Sequence, residues 1–195
     1  MSKYTPKIFQ ELKCLVDDES VYLGDIDTSA ITNMSYLFER SARADFSGIE
    51  SWDVSNVEDM GSMFECCEVF NSPLDRWNTS KVKNMGHMFR ECKKFNKNIS
   101  KWDVGSVACM EHMFYGSSRF NHSCKNWKIP KDTSFYKMFY LSGKWSNKEK
   151  QREKLRYFDQ EFLEFLNIKK DDDEKVDSQK YRSKGRKNTF KRGKK

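Results

Sequence analysis

A motif of roughly 25 residues recurs five times between residues 34 and 139, and this repetition constrains the fold more than any other feature. Its most regular part is a short block, usually Met-x-x-Met-Phe. Successive blocks start at Met34, Met60, Met85, Met110 and Phe135, so the spacing between copies is nearly constant. Tryptophan recurs with the same period, at Trp52, Trp77, Trp102 and Trp127. A fixed period of roughly 20–50 residues indicates an architecture in which successive copies stack on one another.

Two segments of each copy suggest regular secondary structure. The β-branched residues of Trp52–Val57 favour a short strand. The apolar residues of the Met-x-x-Met-Phe block fall at i, i+3 and i+4, which places them on one face of a short helix. One copy cannot bury these residues alone, so stacking must do so. The sequence therefore predicts an α/β repeat solenoid with one short parallel strand and one short helix per copy.

The predicted core consists of the Met, Phe and Trp residues that recur at the repeat period. These are Met34, Phe38, Trp52, Met60, Met63, Phe64, Trp77, Met85, Met88, Phe89, Trp102, Met110, Met113, Phe114, Trp127, Met138 and Phe139. A recurring Phe-Asn pair adds Asn71, Asn96 and Asn121. We expect these asparagines to form a ladder in which each side chain satisfies backbone groups of a neighbouring copy. A row of ligand-binding amides is the alternative interpretation.

The pattern W-D-V-S-N-V-x-x-M-x-x-M-F, followed by F-N and another W, resembles the BspA-like leucine-rich-repeat surface proteins. The resemblance covers about Asp25 to Leu141. It implies a non-catalytic, leucine-rich-repeat-like fold used for adhesion or protein binding, and such repeats also occur in proteins of protists and large DNA viruses. This chain departs from the family because Met1–Gln10 lacks the apolar segment of a secretory signal. In the fifth copy, Lys128–Asp132 breaks the strand motif, so we expect stacking to end there.

The flanking segments are predicted to cap the repeats with helices at both ends. Four segments are expected: an N-terminal helical cap at residues 1–24, the repeat solenoid at 25–143, a C-terminal amphipathic helix at 144–168 and a basic tail at 169–195. At the N-terminus, Thr5-Pro6 suggests a helix start, and Ile8, Leu12 and Leu15 then fall on one helical face. Ser146 with Glu149 fits a capping box that opens an amphipathic helix. This helix caps the solenoid, docks a partner protein through Leu155, Phe158, Phe162 and Phe165, or binds a membrane surface.

The net charge of +7 is carried by the C-terminal tail. Residues 169–195 contain 12 Lys/Arg and 5 Asp/Glu, so residues 1–168 are neutral overall. From residue 178 there are nine basic residues and no acidic ones. Such a tail serves solubility, binds nucleic-acid phosphates without reading sequence, acts as a localisation signal, or contacts an acidic protein surface. Its basic residues are Lys180, Arg182, Lys184, Arg186, Lys187, Lys191, Arg192, Lys194 and Lys195.

No motif in the chain predicts catalysis. The six cysteines contain no CxxC, which favours free structural thiols over a disulfide or a metal site. His87 and His112 share one repeat position that is expected to be exposed, but no third ligand column completes a metal site. No Gly-x-Ser-x-Gly, His-Glu-x-x-His or glycine-rich phosphate loop is present. We therefore expect a non-enzymatic protein with no cofactor and no small-molecule substrate.

The function predicted from sequence is that of a structural or scaffolding repeat protein. It would bind other proteins through the solenoid surface and the C-terminal helix, as a component of a large assembly such as a virus particle. We expect an intracellular or virion location, and no apolar run is long enough to span a membrane. The alternatives are a secreted or surface adhesin of the BspA type, or an adaptor that binds nucleic acid through its basic tail.

Overall fold

The computed structural model describes residues 2–124 and 126–143. Within them, five copies of the repeat form five coils stacked in parallel. The backbone contacts between neighbouring coils are isolated parallel bridges, which pair Asn33 with Asp59, Asp59 with Asn84, Asn84 with Cys109, and Cys109 with Ser134. The predicted helix at 144–168 and the basic tail at 169–195 lie outside the described residues.

Main-chain hydrogen bonds join each coil to the next at four alternating residues. Between the second and third coils the donor–acceptor pairs are Met60–Asn84, Ser62–Gly86, Phe64–Met88 and Cys66–Arg90, with N···O distances of 2.8–3.0 Å. The intervening N–H groups of Met63, Glu65 and Cys67 turn back to the carbonyl three residues earlier. Gly61 donates its N–H to the Asp59 carboxylate at 2.8 Å. Every N–H from residue 60 to 67 is therefore paired, as buried backbone requires.

This alternation requires a left-handed backbone at two positions of every coil. The third residue of each block has φ of +50° to +60°, at Tyr36, Ser62, His87, His112 and Lys137. The seventh is also left-handed, at Arg40, Cys66, Glu91, Gly116 and Leu141. Non-glycine residues seldom adopt positive φ, and a helix cannot contain such residues at regular intervals. The blocks are thus runs of overlapping turns.

The predicted strand and helix of each copy are therefore wrong, and with them the α/β leucine-rich-repeat-like class. In the described residues the α-helix is α1, Phe9–Asp17, and the remaining helical segments are short 3-10 turns at Leu23–Asp25 and Ile49–Ser51. The predicted strand segment turns because Val57 donates its N–H to the Val54 carbonyl. Asp53 favours the same turn, since its carboxylate accepts the N–H of Ser55 at 2.9 Å.

The fifth copy continues the stack, contrary to the expectation that stacking ends at Lys128–Asp132. Residues 110, 112, 114 and 116 donate their N–H groups to the carbonyls of residues 134, 136, 138 and 140. Thr133 also donates its hydroxyl to the Val107 carbonyl at 2.6 Å. These bonds use backbone groups outside the degraded segment, so the loss of the Trp-Asp-Val pattern does not remove them.

The core runs through the stack as columns of identical side chains. The rings of Phe38, Phe64, Phe89, Phe114 and Phe139 lie 5.2–5.6 Å apart, with planes within 11° of parallel. A second column joins Phe70, Phe95 and Phe120 at 5.7 and 5.9 Å. Each of the four tryptophans of the repeat donates its indole N–H to a carbonyl of the preceding copy, as from Trp77 to Ile49 at 3.1 Å. Burial and hydrogen bonding thus repeat with the sequence.

Helix α1 covers the N-terminal end of the stack through Leu12 and Val16, which are fully buried. It starts at Phe9 rather than at Pro6, because Tyr4 pairs with Ile26 and keeps the preceding residues extended. Ile8 is consequently exposed and does not join the predicted apolar face. The guanidinium of buried Arg43 ties the helix down by donating to the carbonyls of residues 16, 18 and 21.

Candidate protein-binding surface

One side of the last three coils presents aromatic and cationic side chains in contact with one another. They occupy the second, third and sixth positions of the repeated block, whose chemical type varies between copies while the buried fourth and fifth positions stay apolar. We call this surface the aromatic strip, defined by His87, Arg90, His112, Tyr115, Tyr136, Lys137 and Tyr140. The left-handed backbone at the third position orients three of these side chains away from the core columns.

Cation–π and stacking contacts order the strip. The Arg90 guanidinium lies 5.4 Å from the centre of the Tyr115 ring. Tyr115 stacks on Tyr140 with ring centroids 5.2 Å apart. The Lys137 ammonium lies 5.1 Å from the Tyr136 ring and 5.4 Å from the Tyr140 ring. Such contacts hold the aromatic rings in place while leaving their polar ends in water.

Two histidines lie beside these tyrosines. The rings of His87 and His112 are 4.9 Å apart, and His112 meets the Tyr136 ring edge-on at 5.5 Å. Both are half-buried, so the expectation that this repeat position is exposed holds for Tyr36 but not for the two histidines. Burial lowers the pKa of His112, and the neighbouring His87 lowers it further. Its buried Nδ1 has no hydrogen-bond partner among the described residues. His112 is therefore neutral near pH 7 and contributes an aromatic surface.

The strip is anchored at its N-terminal side by one buried carboxylate. Glu65, at 7 % exposure, pairs with the guanidinium of Arg90. Its second oxygen lies 3.8 Å from Nδ1 of His87. The carboxylate is buried and held inside the stack, so this ion pair restricts the position of the Arg90 side chain, which is itself 35 % exposed. It therefore orients Arg90 over Tyr115.

The structure places all seventeen residues of the predicted core inside the stack, each at most 4 % exposed. The asparagines lie in a row along another side, where the N–H of Asn96 donates to the Asn71 side chain at 2.9 Å. Asn121 repeats this contact to Asn96 at 3.0 Å. This is the geometry of a structural ladder, because the acceptor oxygens are used within the stack.

The other predicted sites lie outside the described residues. These are the docking residues Leu155, Phe158, Phe162 and Phe165, and the basic residues from Lys180 to Lys195.

Two buried cysteines belong to the structural columns. The thiol of Cys67 donates to the Phe38 carbonyl at 2.7 Å, and that of Cys92 donates to the Phe64 carbonyl at 2.9 Å. Ser117 makes the corresponding bond to Phe89. Burial raises the pKa of Cys67 to about 12 and that of Cys92 well above its ordinary value. Both thiols are therefore protonated hydrogen-bond donors with low reactivity.

Among residues 2–124 and 126–143, no three His, Cys, Asp or Glu side chains are grouped as a metal would need. Two surface depressions occur. One of about 630 Å³ lies between α1 and the N-terminal segment, lined by Tyr4, Cys14 and Leu15 among others. The other, about 350 Å³, is lined by Asp45, Glu50, Val69 and Pro73 among others. Both are open to solvent.

In this same part of the chain, no helix has the length and apolar composition to cross a membrane.

Sequence reasoning missed the aromatic strip because it concentrated on residues that repeat. Arg90, Tyr115 and Tyr140 occupy the position that holds Glu39 and Glu65 in earlier copies. Lys137 likewise replaces His87 and His112. A signal for these residues was present in the positions of the block that differ between copies. In the last three copies these positions carry large aromatic or charged residues, which the stacking contacts do not require.

Comparison with known proteins identifies one family. Its model, described as "Mycoplasma protein of unknown function, DUF285", matches residues 7–64 and 32–152. These overlapping matches cover helix α1 and all five coils. No curated protein and no solved structure gives a significant match to the chain.

Proposed function

The chain belongs to the DUF285 family, and we propose that it is a non-enzymatic repeat protein that binds other proteins through the aromatic strip. The observation that carries this proposal is the contrast between two sets of aromatic residues. The four tryptophans of the repeat are 3–4 % exposed. Tyr136 and Tyr140, on the strip, remain 53 % and 36 % exposed. Tyrosine and arginine are the residue types enriched at the centres of protein interfaces.

The order within the strip supports the same proposal. Binding costs roughly 0.5–1.5 kcal/mol for each flexible side chain that becomes immobilised. In the strip, Arg90 is already held between Glu65 and Tyr115, and Lys137 lies between two tyrosines. Part of that ordering cost is therefore met before a partner arrives.

The use of the remaining residues supports a scaffolding role. The Met, Phe, Trp and Asn columns make contacts between coils and so hold the stack together. A stack built in this way is suited to presenting a surface to a partner. We propose that this surface attaches the protein to a large assembly, such as a virus particle. The C-terminal helix predicted at 144–168 would supply a second docking element.

An intracellular or virion location forms part of the proposal. Cys67 and Cys92 donate hydrogen bonds to carbonyls and so need their protons. Thiols used in this way suit a reducing compartment better than an oxidising one.

A BspA-type adhesin is the second candidate. The Trp-Asp-Val-Ser-Asn-Val and Met-x-x-Met-Phe pattern favours kinship with BspA-like repeat surface proteins, and the DUF285 match is compatible with it. Such an adhesin would use the same strip on a target outside the cell. The thiol donors make this the less favoured location.

Photocrosslinking from defined positions tests the proposal. A benzoylphenylalanine would replace Tyr136 on the strip and, as a matched control, exposed Tyr22 near the N-terminus. The full-length proteins would be irradiated in extracts of the native source, and crosslinked proteins identified by mass spectrometry. We expect one protein to be captured from position 136 and not from position 22.

A binding measurement with the captured protein completes the test. Tyr140→Ala should weaken its affinity by at least about thirtyfold, the effect of losing an interface hot spot of about 2 kcal/mol. Tyr22→Ala should leave the affinity within about twofold. Equal capture from both positions, or an unchanged affinity for the Tyr140 variant, would show that the strip is not the binding surface.

A further inference from the structure

The coil stack is divided by charge along its axis. Residues 1–84, which include α1 and the first two coils, carry 8 Lys/Arg and 15 Asp/Glu. Residues 85–143, which form the last three coils, carry 10 Lys/Arg and 4 Asp/Glu. The net charges are −7 for residues 1–84 and +6 for residues 85–143, and they nearly cancel. The near-zero net charge of residues 1–168 as a whole therefore does not reveal this difference between the two halves of the stack.

The division arises because equivalent positions change sign from one copy to the next. The sixth position of the block is Glu39 and Glu65 in the first two coils and Arg90 in the third. Glu68, in the second coil, is replaced by Lys93 in the third. Charges at equivalent positions lie in one column of the stack, so in both columns an acidic residue of the second coil is followed by a basic residue of the third.

One side of the stack combines this division with an exposed apolar residue. We call it the divided face: an acidic end at Glu50 and Glu68, a basic end at Lys94, Lys97 and Arg119, and Val69 between them. Val69 is 44 % exposed and lines the 350 Å³ depression together with Glu50. Lys94 and Arg119 occupy the position of Val69 in the next two coils. The asparagine ladder runs along this side and fixes the alignment of the coils.

A surface that is acidic at one end and basic at the other is complementary to itself after a two-fold rotation. Two such stacks lying antiparallel place each acidic end against a basic end. We propose that the divided face binds a second copy of this chain in an antiparallel, two-fold symmetric pair. Val69 would then lie inside the contact, where its apolar surface leaves water.

The second copy is favoured over an unrelated acidic or basic partner because both ends are then satisfied together. A uniformly basic partner would fit the acidic end and be repelled by Lys94 and Lys97. The chain's own basic residues from 178 onward would likewise engage the acidic end alone. The proposal does not depend on the aromatic strip, which lies at other positions of the repeat, so either proposal can fail without the other.

Sedimentation equilibrium of the full-length, nuclease-treated protein tests the pairing. We expect a monomer–dimer equilibrium in about 50 mM salt that weakens about tenfold or more in about 500 mM salt, where exposed charges are screened. Lys94→Glu with Lys97→Glu should weaken pairing at least about tenfold, and so should Glu50→Lys with Glu68→Lys. Lys81→Glu with Lys128→Glu, at other positions of the repeat, should pair like the wild type.

Mixing the two charge-reversed variants tests whether these charged residues face each other across the pair. Each variant alone brings like charges together, whereas the equimolar mixture restores opposite charges at both ends and gives a mixed dimer. Circular dichroism and thermal melting should show all variants folded before mixing. A wild-type protein that stays monomeric at about 100 µM in low salt would overturn the proposal. So would a lysine variant that pairs as tightly as the wild type, or a mixture that pairs no better than its components.

Discussion

Phe89 occupies the middle of the core, and its replacement by alanine is expected to cause a large loss of stability. The ring is fully buried. It stacks on Phe64 and Phe114 at 5.6 Å, in the coils on either side, and on Phe95 at 4.0 Å within its own coil. Removing it therefore opens a cavity that is lined by three coils.

The magnitude follows from that setting. Phe-to-Ala changes in packed cores cost about 3–5 kcal/mol, as lost transfer free energy plus the cavity left behind. The upper half of this range is expected here, because flat rings on both sides cannot collapse into the gap while hydrogen bonds hold the coils in register. Since small domains are stable by only about 5–15 kcal/mol, such a loss is a large share of the total.

Urea unfolding followed by tryptophan fluorescence measures the effect, with Tyr136→Ala as the matched control. Tyr136 is an aromatic residue on the exposed strip, so its loss should change the unfolding free energy by no more than about 0.5 kcal/mol. Equal midpoints for the two variants would refute the packing described here. A Phe89→Ala loss below about 1 kcal/mol would do the same, since it would mean that the ring does not sit between stacked neighbours.

Four further outcomes are expected. Arg43→Met should lower the unfolding free energy by at least about 2 kcal/mol in the same urea assay, because it leaves buried carbonyls of the α1 end unpaired. At pH 8, Cys14 should react with a thiol reagent while Cys67, whose pKa is raised by burial to about 12, stays unmodified as judged by mass spectrometry. Because burial lowers the pKa of His112 below 6.5, the unfolded state binds the proton more tightly, so stability should fall as pH drops below 6.5; His112→Gln should reduce that fall. Deleting residues 178–195 should abolish any nucleic-acid binding, which in the intact chain should weaken on the order of a thousandfold between about 50 and 200 mM salt.

The sequence contained the spacing of the copies but not the backbone conformation inside them. Met85, Met88 and Phe89 fall at i, i+3 and i+4, which is typical of a helical face. Overlapping turns with bonds to the third preceding residue bring the same three side chains to one side. The apolar pattern therefore cannot distinguish the two conformations, and the left-handed φ of His87 leaves no trace in residue type.

The predicted strands failed for a related reason. Val54 and Val57 were assigned to a strand by β-propensity, which largely reflects burial on a packed surface. Both are buried here as well, but in a turn closed by their own main-chain hydrogen bond. The Asp-x-Ser sequence preceding Val57 was the better indicator, because an Asp side chain that accepts an N–H two residues later favours a turn.

The candidate surfaces were hard to predict because they depend on neighbours that lie a full repeat away in the sequence. Nothing near Arg90 in the sequence indicates that it stacks on Tyr115, and nothing near Glu68 indicates that a lysine follows it in the same column. Aligning the copies and examining the variable positions would have placed these residues side by side. Their contact distances still required the three-dimensional stack.

A through-hydrogen-bond scalar coupling, measured by NMR on isotope-labelled protein, tests most directly whether neighbouring copies are joined through their main chains. The N–H of Phe89 donates to the carbonyl of Met113 at 2.9 Å, in the next coil. The amide nitrogen of Phe89 should therefore show a coupling to the carbonyl carbon of Met113. A coupling to the carbonyl carbon of Met85, four residues earlier as in an α-helix, would contradict the stacked-coil structure.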